Sequence, residues 1–179
     1  MAESDGNPAD SAPRFADVEV FKLGMRRLIA SVCVITAGAP GRRVGLTATA
    51  VCSLSTAPPM LLCCVNRTSA SYATILEHRA FAVNVLAMED AHVAERFSTK
   101  TPSEQKFDDA RWSQGGSPLL LTAFASFDCK IERHVETGTH GIMFGAVEAV
   151  QLSDAETMPL LYGDGGYGAF ALLEGLARA

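Results

Sequence analysis

Small hydroxyl side chains recur at Thr47, Thr49, Ser53 and Ser55 within the stretch Val44–Ser55. On an extended strand, residues two apart share a face, so the pattern predicts one long strand with these four hydroxyls along one side. A row of hydroxyls fills a core poorly and hydrogen-bonds a flat polar ligand well. Ala57-Pro58-Pro59 then turns the chain, and the apolar run Met60–Val65 predicts a second strand. Asn66-Arg67-Thr68-Ser69-Ala70-Ser71 follows directly and opens a predicted helix, Thr68–His78. Backbone N–H groups at a helix N-terminus, joined by Ser and Thr hydroxyls, make an anion site.

A ring system over the hydroxyl row and a phosphate at the Ser-rich turn would be the two ends of a flavin nucleotide. Each feature also has a plainer reading. Thr serves β propensity on a half-buried edge strand, and Ser69 serves as an ordinary helix cap. Thr137-Gly138-Thr139-His140-Gly141 lies between two predicted long strands, in a glycine-containing loop that leaves His140 free to reach a ligand. His78, His92 and His134 have no such setting. Gly163-Asp164-Gly165-Gly166-Tyr167-Gly168 matches GxGxxG literally. A dinucleotide fingerprint also needs a following helix, a βαβ unit and an acidic residue about 20 positions on, so this stretch reads as a tight turn between the last two strands. Tyr162 and Tyr167 flank that turn, as end packing or as ligand contacts. No GxSxG elbow is present, and no Asp or Glu is placed for a nucleophilic triad, so hydrolase chemistry has little support.

The elements that must position these residues follow from composition and periodicity. The chain has 179 residues and 48% apolar content, which suits one domain with a full core. Its formal net charge of −5, without a basic cluster, argues against nucleic-acid binding. No apolar run approaches the roughly 20 residues that cross a bilayer. Residues 1–15 are acidic, contain proline and lack an apolar centre; they read as a disordered tail rather than a signal peptide. The domain is expected over 16–174, with 175–179 as a C-terminal tail. The five cysteines (Cys33, Cys52, Cys63, Cys64 and Cys129) form no CxxC pair, and Cys63-Cys64 would point to opposite strand faces. No metal site is expected; buried reduced thiols and a cytoplasmic location are.

Helical spacing of Val18, Phe21, Met25 and Leu28 predicts a helix from Ala16 to Leu28, capped by Asp17. Strands are expected at Ser31–Ala37, Met60–Val65 and Ala80–Leu86, within Leu119–Arg133 and Gly141–Leu152, and at Met158–Tyr162 and Gly168–Leu173. A helix is expected at Glu89–Phe97 and a long loop from Thr99 to Gly116. Strands outnumber helices and come in adjacent pairs, which favours a mainly β fold, an antiparallel barrel with flanking helices, over alternating βαβ units. An open α+β sheet is the alternative.

Taken in order, the segments Val44–Ser55, Pro58-Pro59 with Cys64–Ser69, Phe81–Leu86, Ala94–Phe97 with Lys106-Phe107, Gly138–His140 with Phe144–Val147, and Pro159–Tyr162 with Tyr167 resemble the flavin reductase family. These are the NAD(P)H-dependent reductase components of two-component flavin monooxygenases. The resemblance runs from about Phe21 to Phe170. It implies a split β-barrel with a Greek-key core, of FMN-binding type, and a homodimer with flavin near the subunit interface. It implies FAD or FMN as cofactor, NADH or NADPH as hydride donor, and a partner monooxygenase that receives reduced flavin. Carried onto this sequence, the flavin positions are Gly45, Leu46, Thr47, Thr49, Ala50 and Ser53, then Cys64, Val65, Asn66, Ser69 and Ser71, with Arg96 and Phe97. His140, Tyr162 and Tyr167 would face the nicotinamide, with His140 as the catalytic candidate. Two other readings remain: a flavin-dependent oxidase of the pyridoxamine-phosphate-oxidase type, which needs a basic pocket for a substrate phosphate, and a non-enzymatic flavin-binding protein.

Overall fold

Asp17 starts the first helix as the sequence predicts: its carboxylate accepts hydrogen bonds from the Glu19 and Val20 N–H groups, both at 3.0 Å. The helix, α1, spans Val18–Arg26. The computed structural model describes residues 15–107, 111–153 and 156–171. The two expected tails lie outside these residues, Phe15 excepted. None of α1 is buried, and Phe21, Leu23 and Leu28 expose more than half their surface.

After α1 come β1 (Ala30–Ser31), β2 (Cys33–Ala37), β3 (Val44–Ala48), β4 (Val51–Thr56) and β5 (Pro59–Asn66). Next are α2 (Tyr72–His78), β6 (Ala80–Val85) and α3 (Ala91–Ser98). The chain ends with the hairpin β7 (Ala125–Thr137) and β8 (His140–Leu152), then the short hairpin β9 (Leu160–Gly163) and β10 (Gly166–Ala169). The class is mainly β with antiparallel pairing, as expected. Seven strands form one sheet in the order β3-β2-β6-β7-β8-β5-β4, and β1-β9-β10 form a smaller one.

The order of the large sheet dictates its shape. Seven strands laid flat would separate β3 from β4 by about 29 Å. Only Thr49 and Ala50 join them, a span of at most about 11 Å. The sheet therefore curls until its two outer strands meet end to end, and the Cys64 N–H donates to the Ala50 carbonyl at 2.9 Å where they do. Ile35, Cys63, Val65, Phe81, Val83 and Met143 fill the inside of the curl, with Ile75 of α2 among them. A second core forms outside β2, where Val34 meets Leu86, Phe97, Phe107, Trp112 and Leu120.

This curl overturns one expectation. Val44–Ser55 is two strands rather than one, and its hydroxyls do not share a face. Thr47 lies opposite Val34, on the outer side. Ser53 lies opposite Leu61, on the inner side. The alternation reverses across Thr49–Ala50, where the chain passes from one edge of the sheet to the other.

Smaller differences have local causes. The helix expected from Thr68 begins at Tyr72, because the Asn66 carboxamide oxygen accepts from both the Thr68 N–H and its hydroxyl, each at 2.9 Å. That bond holds the segment in a turn, the usual competitor of helix for Asn. The helix expected from Glu89 opens as a 3₁₀ turn, Met88–Asp90, before α3. His140 is the first residue of β8 rather than a loop residue: the β7–β8 turn is only Gly138–Thr139, with Gly138 at φ 53°. The glycine-rich turn before Gly168 is a hairpin turn, with Asp164 and Gly165 both left-handed. All five cysteines are free, and three are buried. Burial pushes the Cys33 thiol up to about 12. Burial, with Asp128 and Glu148 nearby, does the same for Cys129.

Candidate functional site

Thr49 stands where the two edges of the sheet meet. It is exposed, and its hydroxyl has no hydrogen-bond partner among the described residues. Two adjoining cavities share Thr49 and Tyr162. One, of ≈330 Å³, is completed by Met25, Arg26, Leu28, Ala30 and Ala50. The other, of ≈250 Å³, is completed by Val32, Thr47, Ala48 and Tyr167. Tyr162 and Tyr167 are paired across β9 and β10, with ring centroids 5.8 Å apart at 68°. Partial burial, with Glu95 and Tyr162 close by, raises the Tyr167 hydroxyl above its ordinary range. An apolar wall with a few polar groups at its edge is the usual make-up of a small-molecule site.

From Ala50 the site extends along β5. Cys64 is half-buried and bonded to the Ala50 carbonyl. Asn66 follows two residues on, about 7 Å along the strand, and lies directly opposite His140. His140 is exposed, and its Nδ1 lies 2.8 Å from the Thr139 hydroxyl. Thr49, Ala50, Cys64, Asn66 and His140 thus follow one another along the outer side of the curled sheet. Arg67 is fixed beside them: its guanidinium pairs with Glu136 at 2.9 Å and donates to the Gly138 carbonyl at 3.3 Å. Glu136 in turn accepts from the Tyr72 hydroxyl at 3.0 Å.

Several expected ligand contacts turn out to be supports. The Thr47 hydroxyl donates to the Ala94 carbonyl at 2.7 Å and ties β3 to α3. Ser71 is buried and donates to the Gly45 carbonyl at 3.2 Å. A side chain at Gly45 would run into the Phe97 ring, so glycine is required there by packing. Phe97 is 2% exposed and packs against Phe107 and Trp112, with centroids 5.1 and 5.2 Å away. Val65 is fully buried inside the curl, and Leu46 packs on the same core. The side chains of Leu46, Val65, Ser71 and Phe97 therefore hold the wall rather than face a ligand, and Gly45 leaves the room that Phe97 needs. The Ser69 hydroxyl accepts from the Ser71 N–H at 3.2 Å. Arg96 is half-buried, with no partner for its guanidinium among the described residues.

Ser53 is separated from Thr49. With Ser55 it borders a cavity of ≈580 Å³ whose other walls include Cys33, Leu61, Phe127 and Val147. Sequence reasoning missed Met25 and Arg26 as wall residues, and the Arg67–Glu136–Tyr72 network. Among the described residues no cluster of His, Cys, Asp and Glu is arranged to hold a metal ion.

The chain matches the flavin reductase like domain over residues 25–171. It is 41% identical over 136 residues to the FMN reductase (NADH) RutF of Pantoea ananatis, covering 75% of this chain and 72% of that one. Its fold is similar to the NADH:FAD oxidoreductase SgcE6 of Streptomyces globisporus, solved in complex with NAD and FAD fragments. That match has a TM-score of 0.79 at 27% identity and covers 88% of this chain and 97% of the other. It is also similar to BorF, the flavin reductase component of a bacterial two-component tryptophan halogenase. Here the TM-score is 0.78 at 28% identity, covering 86% and 98% of the two chains. With most of its length matched, and with the cavities at Thr49 and Tyr162 inside the matched region, the chain belongs to the flavin reductase-like domain family.

Proposed function

We propose that the protein is a flavin reductase: it binds FMN or FAD beside a nicotinamide dinucleotide, NADH or NADPH, and passes reduced flavin to a partner monooxygenase. The observation that carries this reading is the Thr49 hydroxyl, without a hydrogen-bond partner among the described residues, at the junction of the two cavities, with the Ala50–Cys64 backbone on one side and Tyr162 on the other. These residues fit a flavin ring: an apolar wall, one free hydroxyl and cavities on the small-molecule scale. The flavin and the nicotinamide supply the redox chemistry between them, as cofactors do. The chain's share is placement, because hydride transfer requires the reacting atoms at roughly 3–3.5 Å. Thr49 would donate a hydrogen bond to the ring edge. Cys64 and Tyr162 would keep water from its faces. His140, opposite Asn66, would face the nicotinamide. A related reading, an oxidase acting on a phosphorylated amine, needs a basic pocket for the substrate phosphate; in the Asn66–Ser71 turn, Arg67 is already paired with Glu136.

The same reading takes the curled sheet as a split barrel. The exposed Phe21 and Leu23 of α1, with Leu28 just beyond its end, support a homodimer, since exposed apolar groups mark an interaction surface. The free thiols support a reducing, cytoplasmic setting. The partner monooxygenase is inferred from relatives that serve two-component systems, such as BorF.

Thr49→Val is expected to weaken flavin binding by about 1 kcal/mol, roughly fivefold, for one lost hydrogen bond. A fluorescence titration reads this directly, and an unchanged affinity would leave Thr49 a structural residue. His140→Ala is expected to lower kcat/KM for NADH about tenfold, equivalent to about 1.4 kcal/mol, with a smaller effect on flavin affinity. Unaltered reduction at every NADH concentration would remove His140 from the site.

A further inference from the structure

The tip that carries His140 is exposed from Thr137 to His140, and only Gly138 and Thr139 join its two strands. Exposed loop tips open at the lowest cost in free energy. This tip is held from outside its own hairpin. The Arg67 N–H donates to the Thr139 carbonyl at 3.0 Å. The Arg67 guanidinium donates to the Gly138 carbonyl at 3.3 Å and pairs with one Glu136 oxygen at 2.9 Å. The other Glu136 oxygen accepts from the Tyr72 hydroxyl at 3.0 Å.

Strand alternation sets these ties directly behind His140. On β8, His140 is exposed and Gly141 buried, so they face opposite sides. Gly141 lies opposite Val65 and Glu136, and His140 lies opposite Asn66 and Thr137. Tyr72 occupies the room that Gly141 leaves, because a Cβ there would meet the Tyr72 hydroxyl and ring. Tyr72 is 7% exposed and part of the inner core, so it anchors the network to α2. Burial and the bond to Glu136 raise the Tyr72 hydroxyl above its ordinary range, which keeps it a donor.

Stability is a poor account of this network. The Arg67 and Glu136 side chains are 44% and 43% exposed, and exposed ion pairs add little to a fold. What the network does fix is the backbone of residues 138 and 139. The His140 Nδ1 lies 2.8 Å from the Thr139 hydroxyl, so the tip also sets the direction of the imidazole. We propose that Tyr72, Glu136 and Arg67 are positioning residues for His140: they lock the β7–β8 tip and keep the imidazole opposite Asn66. This role rests on the reductase reading, in which His140 faces the nicotinamide. Small misplacements of a group at a reacting centre cost rate out of proportion to their size.

A double-mutant cycle on the full chain tests this. Glu136→Gln keeps the side-chain shape and removes the charge; Tyr72→Phe keeps the ring over Gly141 and removes the hydroxyl. Each alone should lower kcat/KM for NADH about threefold, with flavin affinity and melting temperature close to wild type. In the His140→Ala background neither should cause any further loss, because residues that act through one group are not additive. Backbone hydrogen exchange at residues 138–140 should quicken in Glu136→Gln. Full additivity with His140→Ala, a flavin affinity that falls as far as kcat/KM, or unchanged exchange at the tip would each overturn the positioning role. An active wild type with additive losses fails that role alone. A wild type that reduces no flavin fails the reductase reading, and the positioning role with it.

Discussion

Replacing Asn84 by alanine is expected to lower the stability of the fold by about 3 kcal/mol, without touching the cavities at Thr49. Asn84 is fully buried. Its Nδ2 donates to the Val34 carbonyl at 3.1 Å, with the Thr36 hydroxyl and the Pro118 carbonyl each at 3.3 Å. Its Oδ1 accepts from the Leu120 N–H at 2.7 Å and the Ser126 hydroxyl at 2.9 Å. One side chain on β6 thereby ties β2, β7 and the segment before β7 together. Each buried group left without a partner costs about 1–3 kcal/mol. Some relaxation is available, because the Thr36 hydroxyl also donates to the Pro118 carbonyl, at 2.6 Å. In chemical denaturation the midpoint should fall with an unchanged slope. For a chain of this length the melting temperature should fall by roughly 6–12 °C. A loss under 1 kcal/mol would mean that the segment from Trp112 to Leu120 is held without Asn84, by its apolar contacts and the Thr36–Pro118 hydrogen bond.

Phe97→Ala is expected to cost more, about 3–5 kcal/mol, the range for a buried aromatic cut back to alanine. The ring packs against Phe107 and Trp112, over the space that Gly45 leaves open. Lys106 adds a tether: its ammonium lies 5.7 Å from the Phe97 ring and donates to the Thr99 carbonyl at 2.9 Å. Burial lowers the Lys106 pKa from its ordinary value. Denaturant unfolding reads the stability, and flavin titration of the folded protein reads the site. Stability near wild type together with lost flavin binding would make Phe97 a ligand contact after all. A large stability loss with flavin affinity closer to wild type than that of Thr49→Val would fix it as a support.

These two residues show what was legible in the sequence and what was not. Local rules sufficed where the cause was local. Asp17 two and three residues before two free N–H groups is a cap, and glycines around Asp164 make a hairpin turn. Alternating and β-branched runs gave the strands. The break at Thr49–Ala50 was not legible, because the hydroxyl alternation continues in the letters while the chain crosses from one sheet edge to the other. That crossing is a property of seven curled strands, not of twelve residues. Phe97 read as a site residue because the resemblance carries it over together with Arg96; its role depends on Gly45, over fifty positions away. Asn84 sits in an apolar strand and gives no sign of its partners. Arg26 was missed because, next to Arg27, it read as one of two isolated basic pairs on a solvated surface. By contrast, Thr49, Ala50, Tyr162 and Tyr167, drawn from distant segments, do line adjoining cavities.

The central claim is that the wall at Thr49 and Tyr162 serves flavin reduction. Steady-state oxidation of NADH and NADPH, measured at 340 nm without flavin and then with FMN, FAD or riboflavin, tests it most directly. Flavin-stimulated oxidation that weakens in Thr49→Val at low flavin and in His140→Ala at low NADH is the predicted result. Nicotinamide oxidation that no flavin accelerates would contradict the account.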